Sequence, residues 1–184
     1  MKIEDLIYRV RSVYYRIFTS PSRYAKFLGA TIGKSCAIAT KGFPREAYLI
    51  TIGDHVQVTE GVKFFTHGGG WVIRQECPDF DSFGKITIGN NVYIGNDACI
   101  MPGVTIGNNV VIGSASVVTK SIPDNVIVAG IPAKVVKSFD EYKKSSLPYN
   151  LHCKNMSYIK KKDYLLSLDL SLIHISEPTR PEPI

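Results

Sequence analysis

This sequence of 184 residues lacks a long hydrophobic run. No apolar stretch approaches the ~18 residues that a membrane-spanning helix needs. No secretory signal precedes the first helical pattern, so we expect a cytoplasmic protein. The four cysteines show neither metal-binding nor redox spacing, which predicts reduced cysteines in the core, with Cys36 and Cys99 inside the repeats. These absences disfavour membrane-spanning, secreted and disulfide-stabilised classes of protein.

The charge is modest and unevenly placed. The formal net charge is +6, and the basic residues concentrate near the two ends of the chain. The central region shows none of the interleaving of aromatic and basic residues that is typical of nucleic-acid sites. We therefore expect no nucleic-acid partner. A small polyanionic ligand better explains the basic cluster near residues 120–137.

What the sequence does contain is a six-residue repeat. An aliphatic residue recurs without a miss at Ile88, Ile94, Ile100, Ile106, Ile112 and Val118. The same spacing links Ile52, Val58 and Phe64, and a shorter run links Ile32 and Ile38. Helices require apolar residues every three or four positions and half-buried strands every second. Period six instead predicts three short faces per coil of about 18 residues, the hexapeptide class of parallel β-helix.

Residue types between the repeats agree with this all-β solenoid. The pairs Asn90-Asn91, Asn96-Asp97 and Asn108-Asn109 can adopt left-handed backbone angles at corners. The alternative, a series of short antiparallel strands, is disfavoured by six unbroken matches in one register.

Four segments are expected along the chain. Within residues 1–31 the pattern predicts an amphipathic helix and a lead-in, and the apolar face of the helix is expected to cap the open end of the β-helix. That face consists of Ile3, Leu6, Ile7, Val10, Val13 and Ile17. Contact of its basic face with a membrane surface is an alternative. Residues 32–137 form the β-helix with an inserted loop at 67–84, and residues 138–169 form C-terminal helices. We expect residues 170–184 to be a non-native tail, because Leu170 to Arg180 resemble a translated sequencing adapter; the natural C-terminus is therefore not readable.

His67 is the strongest candidate for a catalytic group. It stands where the repeat breaks and is followed by Gly68, Gly69 and Gly70, which allow a ligand to approach the backbone. Histidine is the usual general base near neutral pH. A zinc site of three histidines would need His55, His67 and His152, and His152 lies outside the repeats, so no metal is expected.

The sequence resembles a known family at two places. The run IGNNVYIGNDACIMPGVTIGNNVVIGSASVVTKSIP followed by VAGIPAKVVK resembles hexapeptide-repeat O-acetyltransferases of the left-handed β-helix superfamily. The loop FFTHGGGWVIRQECPDFDSFGK resembles the branch found in bacterial surface-polysaccharide biosynthesis. The resemblance implies left-handed winding, a homotrimer, and acetyl-coenzyme A held in a groove between two subunits.

The resemblance also implies roles for particular residues. His67 matches the catalytic base, Asn96 and Ser114 match contacts to the pantetheine arm, and Lys120 and Lys137 match basic positions near the nucleotide phosphates. An amide of Gly84, or one of Gly68 to Gly70, would stabilise the oxyanion.

Two features of the loop stay open at this stage. Members of this branch often carry Asp directly after the histidine, where this sequence has Gly68, so another carboxylate would orient His67; the candidates are Glu60, Glu76, Asp79 and Asp81. Trp71, with Phe80 and Phe83, could form a platform for a sugar ring whose hydroxyls bind Asp79 or Asp81. Alternatively, these aromatics attach the loop to a neighbouring subunit.

The predicted function is acetyl-CoA-dependent O-acetylation of a hydroxyl on a sugar or polysaccharide precursor. The alternatives are acetylation of a xenobiotic such as an antibiotic, and a trimeric scaffold that binds sugars without catalysis. The identity of the acceptor and of the acetylated hydroxyl cannot be read from these residues.

Overall fold

The computed structural model describes residues 3–168. It separates into two compact units, Met1–Tyr142 and Lys143–Ile184. The first unit begins with two helices, Ile3–Phe18 (α1) and Pro21–Phe27 (α2). The predicted tail at 170–184 lies outside the described residues.

Short strands follow these helices in the first unit. In chain order they are Thr31–Ile32 (β1), Ala37–Ile38 (β2), Ile50–Ile52 (β3), Val56–Val58 (β4), Lys63–Phe64 (β5), Ile86–Ile88 (β6), Val92–Ile94 (β7), Cys99–Ile100 (β8), Thr105–Ile106 (β9), Val110–Ile112 (β10), Val117–Val118 (β11), Val126–Gly130 (β12) and Ala133–Ser138 (β13).

These strands form three parallel sheets that the chain visits in rotation. The first sheet has the order β1-β3-β6-β9, the second β2-β4-β7-β10-β12-β13, and the third β5-β8-β11. We call one passage through the three sheets a coil. Ile94 pairs with Ile112, and Ile88 pairs with Ile106, so neighbouring coils are 18 residues apart. The parallel arrangement predicted from period six is confirmed. In these three sheets, the one antiparallel pair of strands is β12 with β13.

The repeated aliphatic residues fill the interior. Ile88, Ile94, Ile100, Ile106, Ile112 and Val118 are each at most 2% exposed. Their strand neighbours Thr87, Tyr93 and Thr105 are exposed, because successive side chains of a strand alternate between its two faces. Val92, Ala98, Val104 and Val110, which also lie between the repeated positions, are buried with them. Full burial of one such side chain is worth roughly 1.5–3 kcal/mol, so the stack of aliphatics is the main source of stability in this unit.

The corners adopt the predicted left-handed conformation. Asn91, Asp97 and Asn109 have φ angles of 55°, 60° and 54°. Asn91 Nδ2 donates to Asn109 Oδ1, and Asn109 Nδ2 donates to Asn125 Oδ1, both at 2.8 Å. Asparagine therefore supplies both the backbone angle and a hydrogen bond between coils.

The N-terminal helices differ from the prediction. The apolar stripe of α1 is exposed, and the opposite side of the helix carries Tyr8 and Tyr15, which stack on Phe27 at ring-centroid distances of 5.7 and 4.2 Å. The side chains that cover the first coil come from the α2 region, where Tyr24, Ala25 and Leu28 are buried. Pro21 begins this second helix, with Ser20 as its N-cap.

Helices follow the last strand, as the sequence predicts. Helix α3 (Phe139–Ser146) starts with a capping box in which Ser138 N donates to Glu141 Oε2 at 2.8 Å. Within the second unit, a 3₁₀ turn at Leu147–Tyr149 precedes helix α4 (Tyr158–Leu166). Across residues 3–168, no helix has both the length and the apolar composition needed to cross a membrane.

Candidate active site

The site lies at the corner where the chain passes from the third sheet to the first. In a regular coil this passage runs from Cys99 to Val104, five positions on. The equivalent passage takes eight positions in the first coil, from Gly42 to Ile50, and 23 in the second, from Lys63 to Ile86. Two successive coils are therefore expanded at one corner, and both expansions contribute to the site.

The base of the inserted loop is closed by backbone contacts. Gly84 N donates to Thr66 O at 2.8 Å, and His67 forms an antiparallel bridge with Phe83. Gly84 also packs against the next coil so closely that an added Cβ would lie 2.3 Å from Gly103 N. Only glycine fits there, and the tight closure fixes the position from which the His67 side chain projects.

His67 faces a carboxylate from the first coil. Its Nδ1 lies 3.3 Å from Glu46 Oε2, an oxygen shielded from solvent that has no aligned hydrogen-bond donor among the described residues. The His67 side chain remains 46% exposed, whereas that of Glu46 is 19% exposed. In the tautomer that carries its proton on Nδ1, that proton would face this carboxylate and Thr66 Oγ1, which lies 3.5 Å from Nδ1. The Nε2 lone pair would then be left to accept a proton from a ligand.

Glu46 was not among the carboxylates that the sequence suggested. Glu60, Glu76, Asp79 and Asp81 were the candidates, but Asp81 lies 3.4 Å from Arg74 instead. Glu46 precedes a short 3₁₀ helix, Ala47–Leu49, inside the expanded passage of the first coil. The irregular spacing between Ile38 and Ile52 was the available signal, because it placed extra residues at the corner beneath His67.

A pocket of about 290 Å³ opens beside the imidazole. Its lining consists of Glu46, His67, Gly68, Gly69, Gly70, Trp71, Arg74, Asp81 and Phe83. The structure thus brings Trp71 and Asp81 to the pocket beside His67, while Asp79 does not line it. Arg74 was missed by the sequence reasoning; its Nε donates to Phe80 O at 2.9 Å and holds the loop in shape.

The backbone amides near the pocket are not equivalent. The Gly84 amide is engaged with Thr66 O, which removes it from the two choices for stabilising an oxyanion. Gly68 and Gly69 face open space, because no heavy atom lies within 4 Å of an ideal Cβ at either position. The segment Gly68–Gly70 therefore remains the candidate source of an amide donor.

The residues expected to hold the acyl donor lie elsewhere on the chain. Asn96 and Ser114 occupy the corner between the second and third sheets on successive coils, where Ala115 N donates to Asn96 O at 2.7 Å. Lys120 follows β11, and Lys137 lies on β13 opposite Ile127. None of these four residues lines the His67 pocket of its own chain.

Within residues 3–168, no three side chains of His, Cys, Asp or Glu gather in a metal-binding arrangement. Cys36, Cys77, Cys99 and Cys153 are free thiols.

Comparison with known proteins agrees with this arrangement of sheets. The family described as "Bacterial transferase hexapeptide (six repeats)" matches residues 85–120. Protein CapG of Staphylococcus aureus is 50% identical over 144 residues, which are 76% of this chain and 84% of CapG. Galactoside O-acetyltransferase of Escherichia coli (strain K12) is 44% identical over 97 residues, 51% of this chain and 46% of the relative.

A solved structure is also similar. A galactoside acetyltransferase in complex with coenzyme A superimposes with a TM-score of 0.59 at 28% identity, covering 78% of this chain and 86% of that one. The chain belongs to the hexapeptide-repeat O-acetyltransferase family, a family of acyltransferases. It spans most of CapG but about half, 46%, of the Escherichia coli galactoside O-acetyltransferase.

Proposed function

We propose that this protein transfers the acetyl group of acetyl-coenzyme A to a hydroxyl group of a sugar, with His67 as the general base. The observation that carries the proposal is the pairing of His67 Nδ1 with Glu46 at the mouth of a pocket. This pairing leaves Nε2 free for an acceptor hydroxyl. Membership of the O-acetyltransferase family and similarity to galactoside acetyltransferases support the same reaction class.

The pocket suits a sugar acceptor. The Trp71 ring is 82% exposed and offers an apolar face on which a sugar ring can stack. Asp81 and Arg74 provide a carboxylate acceptor and guanidinium donors for hydroxyl groups at the same wall. We extend the proposal to a polysaccharide precursor as the acceptor, with Asp79 as a further contact from the same loop.

The chemical step is a direct acyl transfer. His67 Nε2 removes the proton from the acceptor hydroxyl as its oxygen attacks the thioester carbonyl. The carbonyl oxygen becomes an oxyanion that accepts a hydrogen bond from an amide of Gly68–Gly70. When the C–S bond breaks, the proton on Nε2 passes to the coenzyme A thiolate, so His67 returns to its starting state. Glu46 stabilises the transient imidazolium by its negative charge.

The acyl donor is proposed to bind between subunits of a homotrimer with left-handed coils. Asn96 and Ser114 would contact the pantetheine arm, while Lys120 and Lys137 would lie near the phosphates. All four lie away from the pocket of their own chain, so in this arrangement the donor reaches the His67 of a neighbouring subunit. We place the reaction in the cytoplasm.

The test is an assay of coenzyme A thiol release with a simple galactoside as acceptor. His67→Asn should lower kcat by about a thousandfold, within the 10²–10⁴ range of general acid–base catalysis, because the new side chain cannot take a proton. His55→Asn is the matched control: His55 lies at another corner with a φ of 56°, which asparagine tolerates, and full activity is expected.

Three results would contradict the proposal. Equal losses in His67→Asn and His55→Asn would remove His67 from the chemistry. Binding of the galactoside with no acetyl transfer by the wild-type protein at any donor concentration would favour a non-catalytic scaffold, whereas transfer to aminoglycoside or chloramphenicol hydroxyls alone would favour a xenobiotic acceptor.

A further inference from the structure

The apolar stripe of α1 has no protein partner within the described chain. It consists of Ile3, Leu6, Ile7, Val10, Val13 and Ile17, which are between 49% and 77% exposed. Tyr14 and Phe18 extend it, with exposures of 57% and 72%. Isolated apolar residues are ordinary on protein surfaces, but a continuous stripe on one helix marks a surface that binds something.

The orientation of this stripe is fixed by the other side of the helix. Tyr8 and Tyr15 stack on Phe27, and Arg45 lies over the Tyr8 ring at 5.4 Å. Lys41 Nζ hydrogen-bonds to Arg16 O near the C-terminal end of α1. Because these contacts hold the opposite face, the stripe cannot turn inward without breaking them.

Beyond Glu4 and Asp5, the charged residues of α1 and of the segment that follows it are all basic. Residues 6–45 contain eight basic residues and no acidic residue. The other 14 basic and 16 acidic residues of the chain sum to −2, so the positive excess of the protein lies in this segment. The acidic residues Glu4 and Asp5 are confined to the first turn of α1, where carboxylates stabilise a helix N-terminus.

Basic residues follow the edges of the stripe. At 100° per residue, Arg9 and Arg16 lie along one edge and Arg11 along the other. An aliphatic face bordered by arginines is the pattern of a helix that lies in the plane of a lipid interface, where the long side chains reach the headgroups.

We propose that α1 attaches the protein to an anionic lipid surface, with the stripe inserted among the acyl chains and with Arg9 and Arg16 on the headgroups; Arg11 Cζ instead lies over the Phe27 ring at 5.7 Å. At ~1.5 Å per residue the helix would lie along about 24 Å of the surface. A second copy of the chain fits the same face less well. Apposing two such stripes would bring two segments with only basic charge together, and that repulsion disfavours association.

Vesicle co-sedimentation of the full chain tests this proposal. We expect binding to phosphatidylcholine vesicles containing phosphatidylglycerol, and at least tenfold weaker partitioning at 0.5 M salt or on phosphatidylcholine alone, because screening removes the attraction of exposed charges. Val10→Gln/Ile17→Gln should weaken partitioning at least tenfold. The matched control is Ile159→Gln/Leu166→Gln, which replaces two exposed aliphatic residues of α4. This variant should bind vesicles as the wild type does.

A second pair of variants isolates the charge. Arg9→Gln/Arg16→Gln should reduce binding to anionic vesicles several-fold, whereas Lys143→Gln/Lys144→Gln, outside the basic segment, should not. Circular dichroism and thermal unfolding of every variant should match the wild type, because the substituted side chains are exposed.

Three outcomes would overturn the proposal. The first is no binding to anionic vesicles by the wild type. The second is equal binding by Val10→Gln/Ile17→Gln and the wild type. The third is a smaller assembly for Val10→Gln/Ile17→Gln in light scattering without lipid, which would show that a second copy covers the stripe.

Discussion

Two corners of the same coils differ in how regular they are: one repeats the same contact from coil to coil, and the other changes with each coil. At the corner between the first and second sheets, each coil repeats one contact: a side-chain oxygen accepts from the backbone amide one coil below. The successive donor–acceptor pairs are Lys34 N with Asp54 Oδ1 at 2.7 Å, Asp54 N with Asn90 Oδ1 at 2.8 Å, Asn90 N with Asn108 Oδ1 at 2.8 Å, and Asn108 N with Asp124 Oδ1 at 2.7 Å. We call this the regular corner.

The corner between the third and first sheets, the irregular corner, differs in every coil. It carries Glu46 in the first coil, His67 and the inserted loop in the second, and the tight Gly103 turn in the third. The comparison teaches that repetition provides the stacking energy and that departures from it provide the chemistry. Substitutions at the regular corner should therefore change stability, and substitutions at the irregular corner should mainly change turnover.

After His67→Asn, the largest loss of turnover is expected for Glu46→Gln. Loss of the negative charge beside His67 Nδ1 should lower kcat by about a hundredfold, or ~2.7 kcal/mol in barrier height, with KM for acetyl-CoA unchanged. Steady-state thiol release measures both constants. A change confined to KM would place Glu46 in ligand binding and not in the orientation of the base.

Gly84→Ala should be an exception to this division, because a substitution at the irregular corner should here lower stability as well as turnover. The new Cβ would lie 2.3 Å from Gly103 N and 2.8 Å from Pro102 C, and backbone atoms cannot move aside as a flexible side chain can. We expect a loss of about 1–3 kcal/mol in the free energy of unfolding, measured in urea, together with reduced kcat. Gly68→Ala, which meets nothing within 4 Å, is the control for the steric effect and should lose no stability.

Asn109→Ala, at the regular corner, should lower stability without changing turnover. Asn109 has a φ of 54° and hydrogen-bonds to Asn91 and Asn125. Alanine loses the bonds and tolerates the angle poorly, so we expect about 1–2 kcal/mol less stability with kcat unchanged. Asn109→Gly keeps the angle without strain and should cost less. Equal losses in both variants would show that the backbone angle contributes nothing.

The smallest effect is the acid sensitivity of the regular corner. Hydrogen bonds from the backbone and side chain of Asn108 hold the pKa of Asp124 below its usual value of 3.8. A lowered folded pKa stabilises the fold above the unfolded pKa, and this contribution is lost as pH falls through the folded value. Between pH 6 and pH 3, the urea midpoint of Asp124→Asn should therefore fall slightly less than that of the wild type.

Much of the fold could be predicted because the repeat is local. Each Ile or Val of the six-residue series is buried for the same reason, and each corner asparagine adopts the angle that its side chain favours. The α1 stripe shows the limit: its periodicity predicted an amphipathic helix, but which face packs inward was decided by the stacking of Tyr8 and Tyr15 on Phe27.

The site could be predicted only in part. His67 was evident because it marks the break in the repeat, and Trp71 and Asp81 followed from the loop that contains them. Glu46 comes from a coil 21 positions earlier, and its approach to His67 depends on the register between coils, which a reading along the chain does not provide. The involvement of the Gly84 amide with Thr66 likewise became evident only from the closed base of the loop.

The measurement that tests the account most directly is a double-mutant cycle of Glu46→Gln and His67→Asn on kcat/KM for acetyl transfer. If Glu46 acts through His67, the double variant should be no slower than His67→Asn alone, because a positioning residue has nothing left to position. Additive losses in the double variant would contradict the account and would mean that Glu46 and His67 act independently.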